Sequence, residues 1–364
     1  MTQSVAVVGT GLIGGSVGLG LRASSPQLSV VGYDVEPSAA RAALAREAVT
    51  DIAPSVEDAV ASVDLVVLAT PTDQIAPLCA RLRETVPPGA IVTDVGSAKG
   101  EVVAAGESAF GERFVGGHPM AGSERHGIEA AEAQLFEDAW WILTPTATTA
   151  PAAYATVSDL AQRLKAQPVA VEPGLHDALV ARLSHLPQLT ASALMDVAWA
   201  FGDRQALLGL AAGGFRDVTR IAASSPEMWV GILRSNRRAV LDALVNLQER
   251  LGHLGVLVGE ERWDELAGFL VRARRARLGL YSKPEYAGEP IALSIMVPDR
   301  PGVLAEVTTA AGELGANIED LRIVHSTEGG RGRLELIVSG QEAAELLVGA
   351  LLTRGYRAER APLP

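Results

Sequence analysis

Near the start of the chain, Gly9-Thr10-Gly11-Leu12-Ile13-Gly14 follows the run SVAVV at 4–8 and opens a helix-like segment that reaches about Arg22. A run that is apolar at almost every position reads as a strand buried on both faces. A glycine turn between such a strand and a helix brings main-chain N–H groups and a helix N-terminus to one point, which suits a pyrophosphate. Gly9 permits the tight turn, Gly11 the close approach of backbone to phosphate, and Gly14 the close packing of helix on strand; Leu12 and Ile13 complete the loop. Asp34 stands 20 residues after Gly14, at the end of the next predicted strand, 28–33. A carboxylate there accepts hydrogen bonds from ribose hydroxyls and repels a 2′-phosphate, so NAD is expected rather than NADP.

The strand signal returns at 64–69, 90–94, 113–117 and 140–143, with helical segments between most of these runs. That alternation predicts a parallel sheet flanked by helices, an α/β Rossmann-type domain over 1–171. From Glu172 the strand signal fades. Residues 175–201, 204–223, 226–256 and 260–279 show helical spacing, and Leu233, Val240, Leu244, Leu247 and Leu251 form an apolar stripe. An all-α domain over 172–281 follows, apolar enough to pack against a second copy as a homodimer. After a polar linker, strands at 291–297, 316–324, 331–338 and 355–359 alternate with helices at 301–314 and 341–353. This βαββαβ order over 290–364 predicts a small split-βαβ domain.

Composition narrows the function. Of 364 residues, 48% are hydrophobic and 20% charged, which excludes a disordered chain. Lys and Arg number 31 against 43 Asp and Glu, a net charge of −12 that repels phosphate backbones, so no nucleic-acid partner is expected. A single cysteine, Cys79, allows neither an internal disulfide nor a thiolate metal cage; no metal is expected, and a reducing cytoplasm suits the chain. No basic segment precedes the first apolar run, so a cleaved signal is not expected. The longest uncharged stretch, between Asp138 and Asp159, is broken by Pro145, Pro151 and several threonines, so no membrane span is expected either.

Three segments carry candidate chemistry. His118, in Gly116-Gly117-His118-Pro119, lies just after a predicted strand, where open α/β sheets bind ligands. Asp94-Val95-Gly96-Ser97-Ala98-Lys99-Gly100 follows another strand, and Ser97 is placed to bond the imidazole and fix its tautomer, leaving the other nitrogen as a base. Arg220, in GGFRDVTRIA with Asp217 one turn before it, either pairs internally or binds an anion bidentately. For a lone histidine or arginine a structural role competes on equal terms with the functional one.

In order and spacing, GTGLIGGS, DVGSAKG, GGHPMAGSE, LSHLPQ and GGFRDVTRIA resemble the TyrA family of prephenate and arogenate dehydrogenases. The resemblance implies oxidative decarboxylation of prephenate to 4-hydroxyphenylpyruvate with NAD, in tyrosine biosynthesis. It implies that His118 accepts the ring hydroxyl's proton, that Ser97 supports it, and that Arg220 grips a substrate carboxylate. Glu124, His185, Gln188, Asp217 and Trp229 fall on family positions in or near the substrate site. One departure concerns substrate: many prephenate-using members have a second histidine where this chain has Gln188, which leaves arogenate open. The C-terminal segment, with VPDRPGVL and GANI, resembles the ACT domain. That resemblance implies an amino-acid effector, an aromatic one such as tyrosine, held by Asp299, Pro301, Gly302, Val303, Asn317 and Ile318; a purely structural βαββαβ unit is the competing reading. Other function classes remain. β-Hydroxyacid dehydrogenases rely on a lysine in their helical domain, whereas this chain has only Lys99, Lys165 and Lys283, none within 175–279. A non-catalytic NAD- and amino-acid-binding regulator would need no pairing of serine and histidine with Arg220.

Overall fold

A computed structural model describes residues 3–122, 125–202, 205, 209–279, 290–298, 300–325 and 331–361, in two compact units, Met1–Glu249 and Arg250–Pro364. In the first unit an eight-stranded sheet comprises β1 (Ser4–Val8), β2 (Ser29–Tyr33), β3 (Asp51–Ile52), β4 (Leu65–Leu68), β5 (Ile91–Asp94), β6 (Phe114–Pro119), β7 (Trp140–Thr144) and β8 (Gln167–Ala170). Their spatial order is β3-β2-β1-β4-β5-β6-β7-β8. The helices α1 (Leu12–Ser24), α2 (Pro37–Ala45), α3 (Val56–Val60), α4 (Thr72–Leu82), α5 (Gly100–Phe110) and α6 (Pro151–Arg163) connect the strands.

The continuous apolar runs have a direct cause. Along β1, Val5 and Val7 enter one hydrophobic cluster, and Ala6 and Val8 enter the other. Along β4, Leu65 and Val67 alternate with Val66 and Leu68 in the same way. Because side chains alternate faces and both faces are covered, no position on these strands is free to be polar.

The sheet departs from the expected parallel order at one place. β7 runs antiparallel to β6, pairing Ile142 with His118 and Trp141 with Pro119. A parallel return needs a crossover of about a dozen or more residues, usually a helix. Between β6 and β7 the described residues supply only a 3₁₀ turn, Ile128–Ala130. The reversal puts Trp141 in the core and leaves Trp140 largely exposed, so only one of the pair is a packing residue. β3 and β8, absent from the sequence reading, lie at the two sheet edges.

Beyond β8 come α7 (Pro173–Val180), a π-helical turn (Ala181–His185), α8 (Leu186–Ala200), α9 (Gly213–Thr219), a 3₁₀ turn (Arg220–Ala223), α10 (Pro226–Ser235) and α11 (Arg237–Gly259). The uninterrupted helix expected over 175–201 thus contains a π turn. Pro187 has no N–H and its ring crowds the carbonyl four residues back, which a wider turn relieves. Ala181, Val240 and Ala243 form a small buried cluster with Leu186, Leu189 and Leu233 packed on it.

The second unit contains α12 (Trp263–Gly279) and then β9 (Pro290–Pro298), α13 (Val303–Glu313), β10 (Ile318–His325), β11 (Arg331–Ser339), α14 (Gln341–Thr353) and β12 (Arg357–Ala361). The sheet is antiparallel throughout, in the order β10-β11-β9-β12. Here alternation is one-sided: Leu293, Ile295 and Val297 are buried with Val307, Ala310 and Leu347, while Met296 is exposed. Among the described residues, no helix is long and apolar enough to cross a membrane.

Candidate active site

The turn from β1 to α1 is built around two positions that exclude a side chain. Gly9 has φ +94°, and a Cβ there would stand 2.5 Å from the Ala69 carbonyl oxygen. A Cβ on Gly14 would stand 1.9 Å from the Gly9 carbonyl oxygen. Gly11 caps α1 without a side-chain hydrogen bond, so the first N–H groups of the helix are open to an anion. Asp34, just past β2, accepts from the Thr10 N–H at 2.7 Å and from its own loop at Glu36 N–H, 3.0 Å. These bonds hold the carboxylate beside the glycine turn. A cavity of 560 Å³ lies here, bounded by Gly9, Gly11, Tyr33, Asp34, Val35 and Leu78. Apolar walls, one fixed carboxylate and a bare helix N-terminus fit the adenosine and pyrophosphate of a dinucleotide. The cavity opens where the strand order reverses, beside the neighbouring strands β1 and β4.

A second cavity, of 790 Å³, shares Gly11, Ala69, Thr70 and Pro71 with the first, and adds Leu12, Ile13, Ser97, His118, Ser184, His185 and Trp229. His118 sits at the end of β6, held from beneath by a buried ion pair. Lys99 and Asp94 are both wholly buried and in contact; Lys99 Nζ also donates to the Gly117 carbonyl at 2.6 Å. Asp94 accepts from Gly96 N–H at 2.7 Å and Gly117 N–H at 3.1 Å. The polar residues of DVGSAKG therefore clamp the strand residue just before His118 to the neighbouring loop. Burial pulls the Lys99 ammonium below its ordinary value, with Asp94 opposing the shift.

His118 Nδ1 lies 2.9 Å from His176 Nε2, and His176 Nδ1 lies 2.8 Å from Asp177 Oδ1. Asp177 also accepts from the N–H groups of Lys99 and Gly100, at 2.7 and 2.8 Å, where α5 begins. Burial pushes the Asp177 carboxyl up, but the hydrogen bonds from His176, Lys99 and Gly100 outweigh it and hold the group below its usual value. His118 is displaced well downward by burial first, then by His176, Lys99 and His185 around it. It is a neutral imidazole at pH 7, fit to accept a proton. His185 is lowered to about 4, again chiefly by burial. Its Nδ1 lies 3.3 Å from Asn236 Nδ2, and its ring meets Trp229 edge-on.

The structure brings some of the expected residues together and separates others. Gly9, Gly11 and Asp34 line the first cavity, and Leu12, Ile13, Ser97, His118, His185 and Trp229 the second. The partner at His118 Nδ1 is His176, where the sequence suggested Ser97. Gln188 is buried on α8 but outside the cavity lining, and its Oε1 has no partner among the described residues. Asp217 and Arg220 lie on exposed positions of α9 and the turn after it, also outside that lining. Glu124 and Asp299 fall outside the described residues. In the second unit Pro301, Gly302 and Val303 line a cavity of 200 Å³ with Arg300 and Leu304. Asn317 turns instead to Glu319, and Ile318 packs on the core.

His176, Asp177 and Asn236 were missed by sequence reasoning. A signal existed for the first two. In PGLHDALV, His176 shares helical spacing with Pro173 and Val180, so a polar ring stands on the buried face.

Comparison with known proteins places this geometry. The chain is 33% identical over 341 residues to the prephenate dehydrogenase of Bacillus subtilis, covering 92% of each chain. It belongs to the prephenate dehydrogenase family. Residues 17–170 match the family description "Prephenate dehydrogenase, nucleotide-binding domain", 172–272 "Prephenate dehydrogenase, dimerization domain", and 291–352 the ACT domain. Among solved structures, a prephenate dehydrogenase from Aquifex aeolicus in complex with hydroxyphenyl propionate and NAD+ superposes with a TM-score of 0.72 at 33% identity, over 77% of this chain and 99% of that one. An arogenate dehydrogenase from Synechocystis gives 0.67 at 31% identity, over 75% and 98%. As a member of the prephenate dehydrogenase family the chain is an oxidoreductase, with a Rossmann-type domain in front and an ACT domain behind.

Proposed function

We propose that the protein oxidatively decarboxylates prephenate to 4-hydroxyphenylpyruvate, with His118 accepting the proton of the ring hydroxyl. The observation that carries this reading is a neutral imidazole, lining a 790 Å³ cavity that continues from the dinucleotide cleft. NAD is the cofactor and, when bound, supplies the hydride acceptor. Gly9, Gly11 and Gly14 would hold its pyrophosphate on the α1 N-terminus, and Asp34 would take the ribose hydroxyls. His118 draws off the hydroxyl proton as the ring carbon bearing that hydroxyl gives up its hydride; the C–C electron pair of the ring carboxylate enters the ring as carbon dioxide leaves, and the proton returns to the oxygen of the aromatic product. Ser97, which also lines the cavity, supports the histidine, and His185 and Trp229 line it as well.

Prephenate is a dicarboxylate, yet the described residues lining the cavity include neither Arg nor Lys. A cation must therefore come from outside that lining, and Arg220, in the GGFRDVTRIA segment, is assigned to a substrate carboxylate with Asp217 beside it. Glu124, a family position, is assigned to the substrate site as well. The labour divides by segment: 1–171 binds the dinucleotide, 172–281 closes the substrate site and pairs two copies into a homodimer, and 290–364 senses an amino acid. The effector is aromatic, held at the turn of Pro301, Gly302 and Val303, with Asp299, Asn317 and Ile318 nearby in the chain.

The test of the chemistry is His118→Asn, followed by NADH absorbance with prephenate. Turnover falls by about 10²–10⁴-fold while NAD affinity is kept; near-normal turnover overturns the base assignment. Arg220→Ala raises KM, and an unchanged KM removes Arg220 from the carboxylate. Saturating tyrosine or phenylalanine shifts the kinetics or the melting temperature; no change in either overturns the effector. Arogenate is the alternative substrate left open by Gln188 standing where many prephenate-using relatives carry a histidine, and comparing kcat/KM for the two substrates decides between them.

A further inference from the structure

The hydrogen bonds around Asp177 do more than fill space. Its carboxylate is an acceptor only, so the proton between it and His176 sits on His176 Nδ1. With a single proton on the His176 ring, Nε2 is left as an acceptor, and the proton in the 2.9 Å contact belongs to His118 Nδ1. The free lone pair of His118 is then on Nε2, the other edge of a ring that lines the cavity.

Asp177 acts on the second histidine through its main chain. Asn236 Nδ2 lies 2.9 Å from the Asp177 carbonyl oxygen, and two oxygens would repel at that distance, so the amide orientation is settled. The same NH₂ meets His185 Nδ1 at 3.3 Å, which makes Nδ1 the acceptor and puts the proton on Nε2. Asn236 is buried.

We infer that Asp177, through His176 and Asn236, is a positioning hub that sets His118 and His185, two of the three histidines lining the cavity, in opposite tautomers: His118 presents an Nε2 lone pair as acceptor, and His185 presents an Nε2–H as donor. One ring thus takes the substrate's hydroxyl proton and the other donates to a substrate oxygen. The backbone bonds from Lys99 and Gly100 tie the hub to the loop that carries Ser97. The inference rests on the reading of His118 as proton acceptor, and deepens it by naming the groups that make the acceptor atom available.

The experiment uses the full-length enzyme labelled with ¹⁵N-histidine, its ring resonances assigned through single His→Gln variants. At neutral pH the expected spectrum shows His118 protonated at Nδ1 and His185 at Nε2. Protonation of His118 at Nε2, or of His185 at Nδ1, overturns the hub. Kinetics give a second readout. His176→Leu removes the acceptor and lowers kcat by about 10²-fold with KM changed less than about threefold. His176→Gln restores a carbonyl near the Nε2 position and recovers turnover to within about tenfold of the parent. Native turnover in His176→Leu, or equal loss in both variants, overturns the relay. Should His176→Leu fail to fold, the spectrum of the parent enzyme still decides. Failure of the underlying reading looks different: His118→Asn would keep its turnover although the tautomers are as stated.

Discussion

Gly9 and Gly302 each stand where a strand turns into a helix, at φ +94° and +91°. A methyl group on Gly9 would strike main-chain atoms of Ala69, whereas nothing lies within 4 Å of the same position on Gly302. The ion pairs of the two units differ in the same sense. Lys99 and Asp94 are wholly buried beneath the cavity, while Arg300 and Glu306 pair at 2.9 Å in the open beside the ACT turn. The two units thus share a device, a glycine-opened helix N-terminus, but hold it with unequal stringency. In the first, the sheet is covered on both faces and the site is fixed from below. In the second, one face is covered and the turn stands on its own conformation. On the proposed mechanism the nucleotide cleft must align a ring carbon with a histidine and demands the former; the effector cleft proposed for the second unit has only to shift an equilibrium and tolerates the latter.

That contrast can be broken at graded cost. Lys99→Met leaves the buried Asp94 charge without its cation and should cost about 3–5 kcal/mol, read by denaturant unfolding. A loss near zero would mean that Asp94 is held by the Gly96 and Gly117 amides alone. Gly9→Ala adds strain at positive φ to a backbone collision, and NAD affinity measured by calorimetry should fall about 100-fold, or 2.7 kcal/mol. Gly302→Ala meets only the conformational cost, about 1 kcal/mol, which lowers the melting temperature of a domain this small by about 4–8 °C. Equal damage from the two glycine substitutions would erase the distinction.

Acid offers a further probe. His185 has its folded value lowered to about 4, below the ordinary 6.5, so between these values the unfolded chain binds a proton that the folded chain refuses. The stability that neutral His185 contributes is complete above pH 6.5 and is lost progressively as the pH falls towards 4. Melting curves from pH 7.5 to 5 should therefore decline, and His185→Gln should flatten them. The smallest effect is expected at Arg300→Gln, whose exposed pair is screened by solvent; calorimetry should find the melting temperature unchanged.

Much of the fold was legible because local demands leave local marks. The runs at 4–8 and 64–69 are apolar at successive positions since both faces of their strands are covered. The polar residues of DVGSAKG advertised a site, yet Lys99 and Asp94 form its foundation and do not line it. β7 was read as one more parallel strand because a strand's direction depends on the connection before it, and that loop has no periodicity to read. Arg220 is a harder case: its segment is recognisable, but its place outside the cavity lining depends on how α8, α9 and α10 pack.

The sequence by itself determined where backbone had to pass without a side chain, which strands had to be buried, and which histidine stood at a strand end; each follows from properties of a residue and its immediate neighbours. The tertiary structure alone decided which atoms those residues meet. His118 and His176 are 58 positions apart and His185 and Asn236 are 51 apart. A hydrogen bond between such residues has no trace in either local segment, because only the packing of segments distant in the chain brings donor and acceptor within 3 Å or so of one another.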